Sequence, residues 1–445
     1  ELPLTGPATV ATTEAPNDIN QQYRVTIPGE WIVSGVSITV RVDPNNVFGE
    51  TDKSNNDVIV TPTVGRASVL AVTHVPIVAN ARTGTPRNIN TAMTQIWPLK
   101  GVDATTRAAY TYTGTLGSNG TGWSNLLEQL YLTRQTDMSR RNYLGWLNFG
   151  GGGGGGVLGL GFVGIGAALS RDGMSSGVGT AVHELGHNMG REHSPCGGAQ
   201  NADPQYPVAN ARLDTQGWDY VSNRVIQPTQ AHDVMAYCDP QWVSNYVYTR
   251  VQQFLEARPA SASLGPGLVA SPYIAVSGRI SGDDVSISPA TLIVSSEKPE
   301  LEGAANYTLT LYGEKTFSVP FATARVADFD EQHFAVLAPA VNGLFAIEVS
   351  RGGQVLARRL AGPQRPPQTA AVKKVTGGVE VEWDASAFPY AALAHFGEGG
   401  RTTLALQLEG GRAFVSTEGL TGAGDFEVSL SDGVQSQRLM VGISR

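Results

Sequence analysis

The residues with the most chemical potential fall in one run of this 445-residue chain, His183-Glu-Leu-Gly-His187-Asn-Met-Gly190-Arg-Glu-His193, which holds three of its seven histidines. His183 and His187 are four apart, so a helix stacks both imidazoles on one face. That is the geometry of two corners of a tetrahedral zinc site. Glu184 lies on the flank, where it reaches a water at the metal rather than the metal itself. Gly190 lets the chain leave the helix in a left-handed conformation, and His193 can then swing back as a third ligand. Three protein ligands leave the fourth position open, which marks a catalytic rather than a structural zinc site. A bare His-Glu-x-x-His arises by chance; the added glycine and third histidine make coincidence far rarer. The plainer alternative is a histidine-bearing amphipathic helix that binds nothing.

The elements that must position these groups lie between residues 65 and 258, where the texture is mixed α/β. Ala67 to Val78 reads as an apolar strand, and Tyr143 to Phe149 and Gly161 to Leu169 as further strands. Ser124 to Met138 has helical leucine spacing with Ser124 as N-cap. Trp242 to Leu255 presents Val243, Val247, Val251 and Phe254 on one helical face. The glycine run from Gly150 to Gly156 has no side chains to pack and reads most simply as a mobile loop, with a substrate-gating flap as the second reading.

The rest is β-rich. Residues 1–64 alternate over Gln22 to Ile27 and again over Trp31 to Val42, as half-buried strands do. The acidic and amide residues of the following turn, from Asp43 to Asp57, could hold a structural Ca2+, but they lack EF-hand spacing and read more simply as a solvated hairpin turn. A linker at 259–271 leads to a strand-rich stretch at 272–361. A second proline-rich linker then leads to another at 368–445.

Composition sets outer bounds. Hydrophobic residues at 41% are ample for real cores, and the length suggests about three domains. A net charge of −8, from 31 basic and 39 acidic residues, argues against a nucleic-acid partner. No stretch of about 18 unbroken apolar residues exists, so no membrane span is expected. The chain opens at Glu1 without a signal-peptide pattern, as a processed or trimmed form would. His232 reads as a structural hydrogen-bonding group beside a turn, and His74, His333 and His395 have no ligand partners in sequence.

The run from His183 to His193 resembles the long zinc signature of the metzincin metallopeptidases. His232-Asp-Val-Met235-Ala-Tyr237-Cys238 is similar to the methionine-containing turn that lies beneath the metal in that family. The resemblance implies an α/β metzincin-type catalytic domain at 65–258 holding one catalytic Zn2+ on His183, His187 and His193, with Glu184 as general base. It implies Gly190 as the exit turn, Met235 as a hydrophobic floor, and Tyr237 as a supporting group near the metal and the oxyanion. Ser194 is shared with matrixins and Tyr237 with astacins and serralysins, so the subfamily stays open. The same fold would bring Cys196 and Cys238 near the zinc and allow a disulfide between them. Two free thiols, or a cysteine ligand that closes the water position, are the alternatives. By the same resemblance, the strand just before the active-site helix, around Gly161 to Leu169, would be the edge that pairs with extended substrate.

The flanking stretches resemble immunoglobulin-like sandwiches, CARDB-like at 1–64 and fibronectin III-like at 368–445. The fold class expected is therefore multidomain, an α/β catalytic domain flanked by all-β sandwich modules. The resemblance as a whole implies a bacterial, secreted or cell-surface zinc endopeptidase acting on proteins. Its substrates could include glycoproteins reached by glycan binding of the β-modules. An adhesin or glycan-binding protein using the metzincin-like domain as a scaffold is the alternative.

Overall fold

The computed structural model describes residues 1–9, 12–13, 18–150, 156–173, 177–258, 270–297, 305–397 and 400–442. Strand dominates, at 40% against 13% helix. The centre of the α/β part is the apolar strand β1 (Val69–Ala79), buried along most of its length as strands covered on both faces are. After it come α1 (Asn90–Ile96), α2 (Trp123–Thr136) and β2 (Asn142–Leu147). Then follow β3 (Gly159–Val163), β4 (Ala167–Arg171), α3 (Gly177–Asn188) and α4 (Asn245–Ala257). Strands β1, β2 and β4 are parallel neighbours, while β3 runs antiparallel to β4. Leu126, Leu127 and Leu130 of α2 pack with Val75 and Leu169 in one core. Met93 of α1, Leu185 of α3 and Val251 of α4 pack with Leu144 and Ala168 in another.

Several local expectations are corrected. Gly161 to Leu169 is not one strand; the chain reverses at Gly164, whose φ of +78° suits glycine, and makes the β3–β4 hairpin. Ser124 does not cap α2; Gly122 takes the cap position in left-handed geometry (φ 78°), and Ser124 falls in the first turn. The final helix starts three residues later than Trp242 because Ser244 caps it, accepting from Val247 N–H at 3.1 Å. Of the glycine run, 151–155 lie outside the described residues, as does most of the 259–271 linker.

In the N-terminal stretch the strands are Ile38–Arg41 and Asp57–Val60, paired as a hairpin. Gln22 to Ile27 forms no strand, and Arg24 makes only an isolated bridge to Thr5. Val40, Val58, Ile59 and Val60 are exposed. The alternation is present, but no described layer covers it. The Asp43 carboxylate accepts from the Val47 and Phe48 N–H groups at 2.7 and 2.9 Å, so it serves the turn itself.

Further along the chain, β5 (Ser271–Ser281), β6 (Ala324–Val326) and β7 (Gln332–Pro339) belong to a sandwich. Ile274 and Phe334 on its one sheet pack with Leu309 and Ile347 on the other. In the last stretch a three-stranded and a four-stranded sheet enclose Val381, Val415, Leu393 and Val428. The middle sandwich does not merely sit beside the α/β part. Strand β6 pairs with both β7 and β3, fusing the two into one twelve-stranded sheet among the described residues.

Candidate metal centre

Helix α3 carries His183 and His187 side by side, with their Nε2 atoms 3.1 Å apart. It ends where Gly190 adopts φ +80°, and a Cβ there would stand 2.9 Å from the Phe254 ring. Space and backbone conformation thus both call for glycine. The turn returns His193, fully buried, to the same point. The imidazole nitrogens of all three lie within 4.8 Å of one another.

Each ring is held from behind by a backbone carbonyl. His183 Nδ1 meets Val234 O at 2.9 Å, His187 Nδ1 meets Arg191 O at 2.6 Å, and His193 Nδ1 meets Gln200 O at 2.6 Å. A carbonyl only accepts, so every Nδ1 carries a proton, and Nε2 is the nitrogen each ring turns inward, where a metal would take its lone pair. Burial, with the neighbouring imidazoles, pushes His183 down to about 4 and His187 well below its ordinary value, so both rings are neutral near pH 7. Two inward lone pairs at 3.1 Å repel unless a cation lies between them. Tetrahedral nitrogen ligands at about 2.0–2.1 Å from zinc are roughly 3.4 Å apart. The donor set therefore fits a borderline-soft divalent ion such as zinc.

The support beneath is equally specific. Met235 is fully buried, and a Cβ on Gly186 would come within 2.6 Å of its sulfur and 2.8 Å of Trp97. The sulfur thus lies against the helix floor. Asp233 ties three elements together. It accepts from Met235 N–H at 2.9 Å, from Ser194 Oγ at 2.8 Å and from Ser244 N–H at 2.9 Å. Cys196 and Cys238 form a disulfide, and Tyr237 N–H donates to Cys196 O at 3.2 Å. The third-ligand loop is thereby fastened to the methionine turn. Asn188 Nδ2 donates to Phe162 O and Ala167 O, both at 3.0 Å, holding α3 against the β3–β4 hairpin.

Glu184 is buried, and its Oε2 has no hydrogen-bond partner. Burial first, and the charge of Asp328 second, push its pKa well up. The Tyr237 hydroxyl lies 3.1 Å from His193 Nε2 and donates to Asp328 Oδ1. Burial and the adjacent carboxylate raise the phenol, so it stays protonated at neutral pH.

All nine residues singled out from sequence thus come together: His183, Glu184, His187, Gly190, His193, Cys196, Met235, Tyr237 and Cys238. Of the other histidines, His232 lies at the margin of this cluster, its Nδ1 3.6 Å from Cys196 Sγ, while His74 and His333 lie elsewhere. His74 Nδ1 accepts from Trp146 Nε1 at 2.9 Å, and His333 sits between Glu128 and Glu331. His232 Nδ1 bonds Asn210 O at 2.7 Å. The residue that sequence reasoning missed is Asp328, 135 positions after His193, for which no local signal exists.

Residues 118–245 match the family model described as Peptidase M66. The match spans less than a third of the chain but contains all nine of those residues, and it supports a metallopeptidase. No curated protein matches the chain significantly. Among solved structures, a two-domain fibronectin type III segment from chicken tenascin is 12% identical, covers 34% of this chain and 92% of that one, and has a TM-score of 0.14. At that score it carries no argument about the fold. Among the described residues no helix is long and apolar enough to cross a membrane.

Proposed function

We propose that this chain is a zinc-dependent endopeptidase of the metzincin type, exported to an oxidising compartment, in which the disulfide is stable. The observation that carries the reading is the convergence of three imidazoles, each held at Nδ1 by a backbone carbonyl, beside a buried glutamate whose Oε2 has no partner. Bound there, zinc supplies Lewis acidity, lowers the pKa of its water to about 7 and offsets the upward push of burial on Glu184.

The protein groups then divide the work. Glu184 takes the proton of the attacking water at its free carboxylate oxygen and delivers it to the departing amine. The Tyr237 hydroxyl, on the His193 side, turns to donate to the carbonyl oxygen as charge develops on it. Met235 and the Asp233 hub keep the three rings fixed, so little reorganisation is needed at the moment of reaction. The adjoining β-sandwiches suit a role in holding large substrates, and glycoproteins are the class to test first, with a glycan array on the full chain.

The decisive variant is Glu184→Ala. It should retain one equivalent of zinc while casein hydrolysis falls to background. Hydrolysis that persists in this variant, or that survives complete chelation in the unmodified protein, would overturn the assignment.

A further inference from the structure

The stretch expected to pair with substrate, Gly161 to Leu169, divides into two strands, and β4, just before the active-site helix, lies between β2 and β3, so the edge open to an extended chain is that of β3. Its glycines bring backbone close to the catalytic groups: a Cβ on Gly159 would stand 2.4 Å from Glu184 Oε1, and one on Gly161 3.0 Å from Glu184 Oε2. An extended chain pairing with this edge would pass directly beside the three histidines. In this structure the edge is already taken by the protein itself. Strand β6 of the middle sandwich runs antiparallel along it, Arg325 opposite Val163 and Val326 opposite Phe162, and Ala327 N–H donates to Gly161 O at 3.2 Å.

The next residue then enters the metal centre. Asp328 Oδ1 lies 3.6 Å from His193 Nε2 and accepts from the Tyr237 hydroxyl, while Oδ2 is shielded from solvent and has no partner. One carboxylate oxygen of Asp328, one of Glu184 and a His187 nitrogen fall within 4.8 Å of one another. The segment is also strapped down. Asn201 Nδ2 donates to Ala327 O at 3.1 Å and Phe329 O at 3.4 Å, and Arg325 pairs with Glu192, one residue before the third ligand. Both straps come from the stretch that carries the third ligand, Glu192 before His193 and Asn201 after it.

We infer that residues 324–329 are a built-in occupant of the substrate groove, pairing with β3 where an extended peptide would pair and presenting Asp328 as a closing carboxylate ligand at the metal. The inference rests on the metallopeptidase reading above. Two physical points support it. A carboxylate oxygen is an ordinary zinc ligand, and a fourth protein ligand removes the position that catalysis needs open. Main-chain pairing along a sheet edge is how extended peptides are bound, and it demands little of their side chains. A tethered segment also competes at an effective concentration of the order of millimolar, so a free peptide must displace it. Protein substrates therefore reach the site only when this segment lifts off, and a partner or a proteolytic cut near 324–329 would act as an opener.

The test uses the full chain loaded with Co2+ in place of zinc, with acetohydroxamate as a small metal-binding probe. Probe affinity is read from the visible absorption of the metal, independently of hydrolysis. If the segment closes the site at least nine-tenths of the time, freeing it raises probe affinity about tenfold or more. Asp328→Asn should show that gain together with a changed cobalt spectrum before any probe is added. Asn201→Ala, which loosens the strap without touching the carboxylate, should show a smaller gain in affinity. Cleavage of a short fluorogenic peptide by the zinc forms should rise in the same order. If both variants bind the probe as the unmodified protein does, or if Asp328→Asn binds it more weakly, the inference is overturned while the metal site stands. If the unmodified protein takes up no Co2+, or takes it up undiminished after His183→Ala and His187→Ala, the metallopeptidase reading fails first and this inference with it.

Discussion

Asp233 offers the sharpest quantitative test of how the centre is held. Its buried carboxylate receives three donors, two on Oδ1 from Met235 N–H and Ser194 Oγ, and one on Oδ2 from Ser244 N–H. In Asp233→Asn the amide oxygen can keep the Oδ1 pair, but the amide nitrogen then faces the Ser244 N–H, donor against donor. Leaving that buried N–H without an acceptor costs about 1–3 kcal/mol. The two surviving bonds lose charge assistance, which makes them roughly half as strong. Against this, the variant no longer buries a carboxylate, and burial is the leading cause raising the Asp233 pKa. The donors offset that burial only in part, but the lost bond and the two weakened ones together should outweigh the relief, and the net destabilisation should be about 1–3 kcal/mol. For a unit of about 150–250 residues that corresponds to a fall in Tm of roughly 2–12 °C. The same groups fix the His193 loop and the methionine turn, so zinc affinity should fall about tenfold or more, as it does when outer supports of metal ligands are removed. Calorimetry of the full chain and competition with a chromogenic chelator read the two effects. An Asp233→Asn protein with unchanged Tm and zinc affinity would refute the hub argument, and Asp233→Ala, which loses all three acceptors, must be worse than Asp233→Asn.

Three further outcomes are expected. Gly190→Ala must place a side chain at φ +80° and 2.9 Å from Phe254, so it should cost about 2 kcal/mol and weaken zinc binding, read by urea unfolding with and without metal. Replacing Cys196 and Cys238 together by serine releases a bridge with a sequence separation of 42, worth about 4 kcal/mol in the chain-entropy account; an unchanged urea midpoint would show that the bridge does not hold the loop. His333 is buried between Glu128 at 2.9 Å and Glu331 at 3.3 Å, and Glu331 in turn meets Arg279 at 3.5 Å. Burial alone would lower His333, but the bonds and charges of the two glutamates outweigh it and raise its pKa. A raised folded pKa gives stability that is complete below about 6.5 and is lost as pH rises through the folded value. Unfolding free energy measured from pH 6 to 9 should therefore decline more steeply in the unmodified protein than in His333→Gln; parallel curves would refute the assignment.

The comparison of sequence with structure divides along the range of the interactions involved. The His183–His187 pairing, the Gly190 turn and the return of His193 are encoded within eleven residues. They depend on helix periodicity and on one residue's freedom at positive φ, both local properties. The sheet order was less legible, as the β3–β4 reversal at Gly164 shows. An apolar run with a glycine reads equally as one strand or two, and only the pairing partners choose between them. The same limit explains the N-terminal stretch, where alternation marks a strand face but cannot say whether anything covers it.

By itself, the sequence determined which atoms could bind a metal, because ligand type and spacing are written in consecutive residues. Only the tertiary structure decided their state. The carbonyls of Val234, Arg191 and Gln200 that set the imidazole protons belong to backbone, which has the same chemistry at every residue and leaves no signature. The same holds for the occupied edge of β3. Any extended segment can add to a sheet edge through main-chain hydrogen bonds. The delivery of Asp328 to the centre therefore became visible only when distant parts of the chain were folded together.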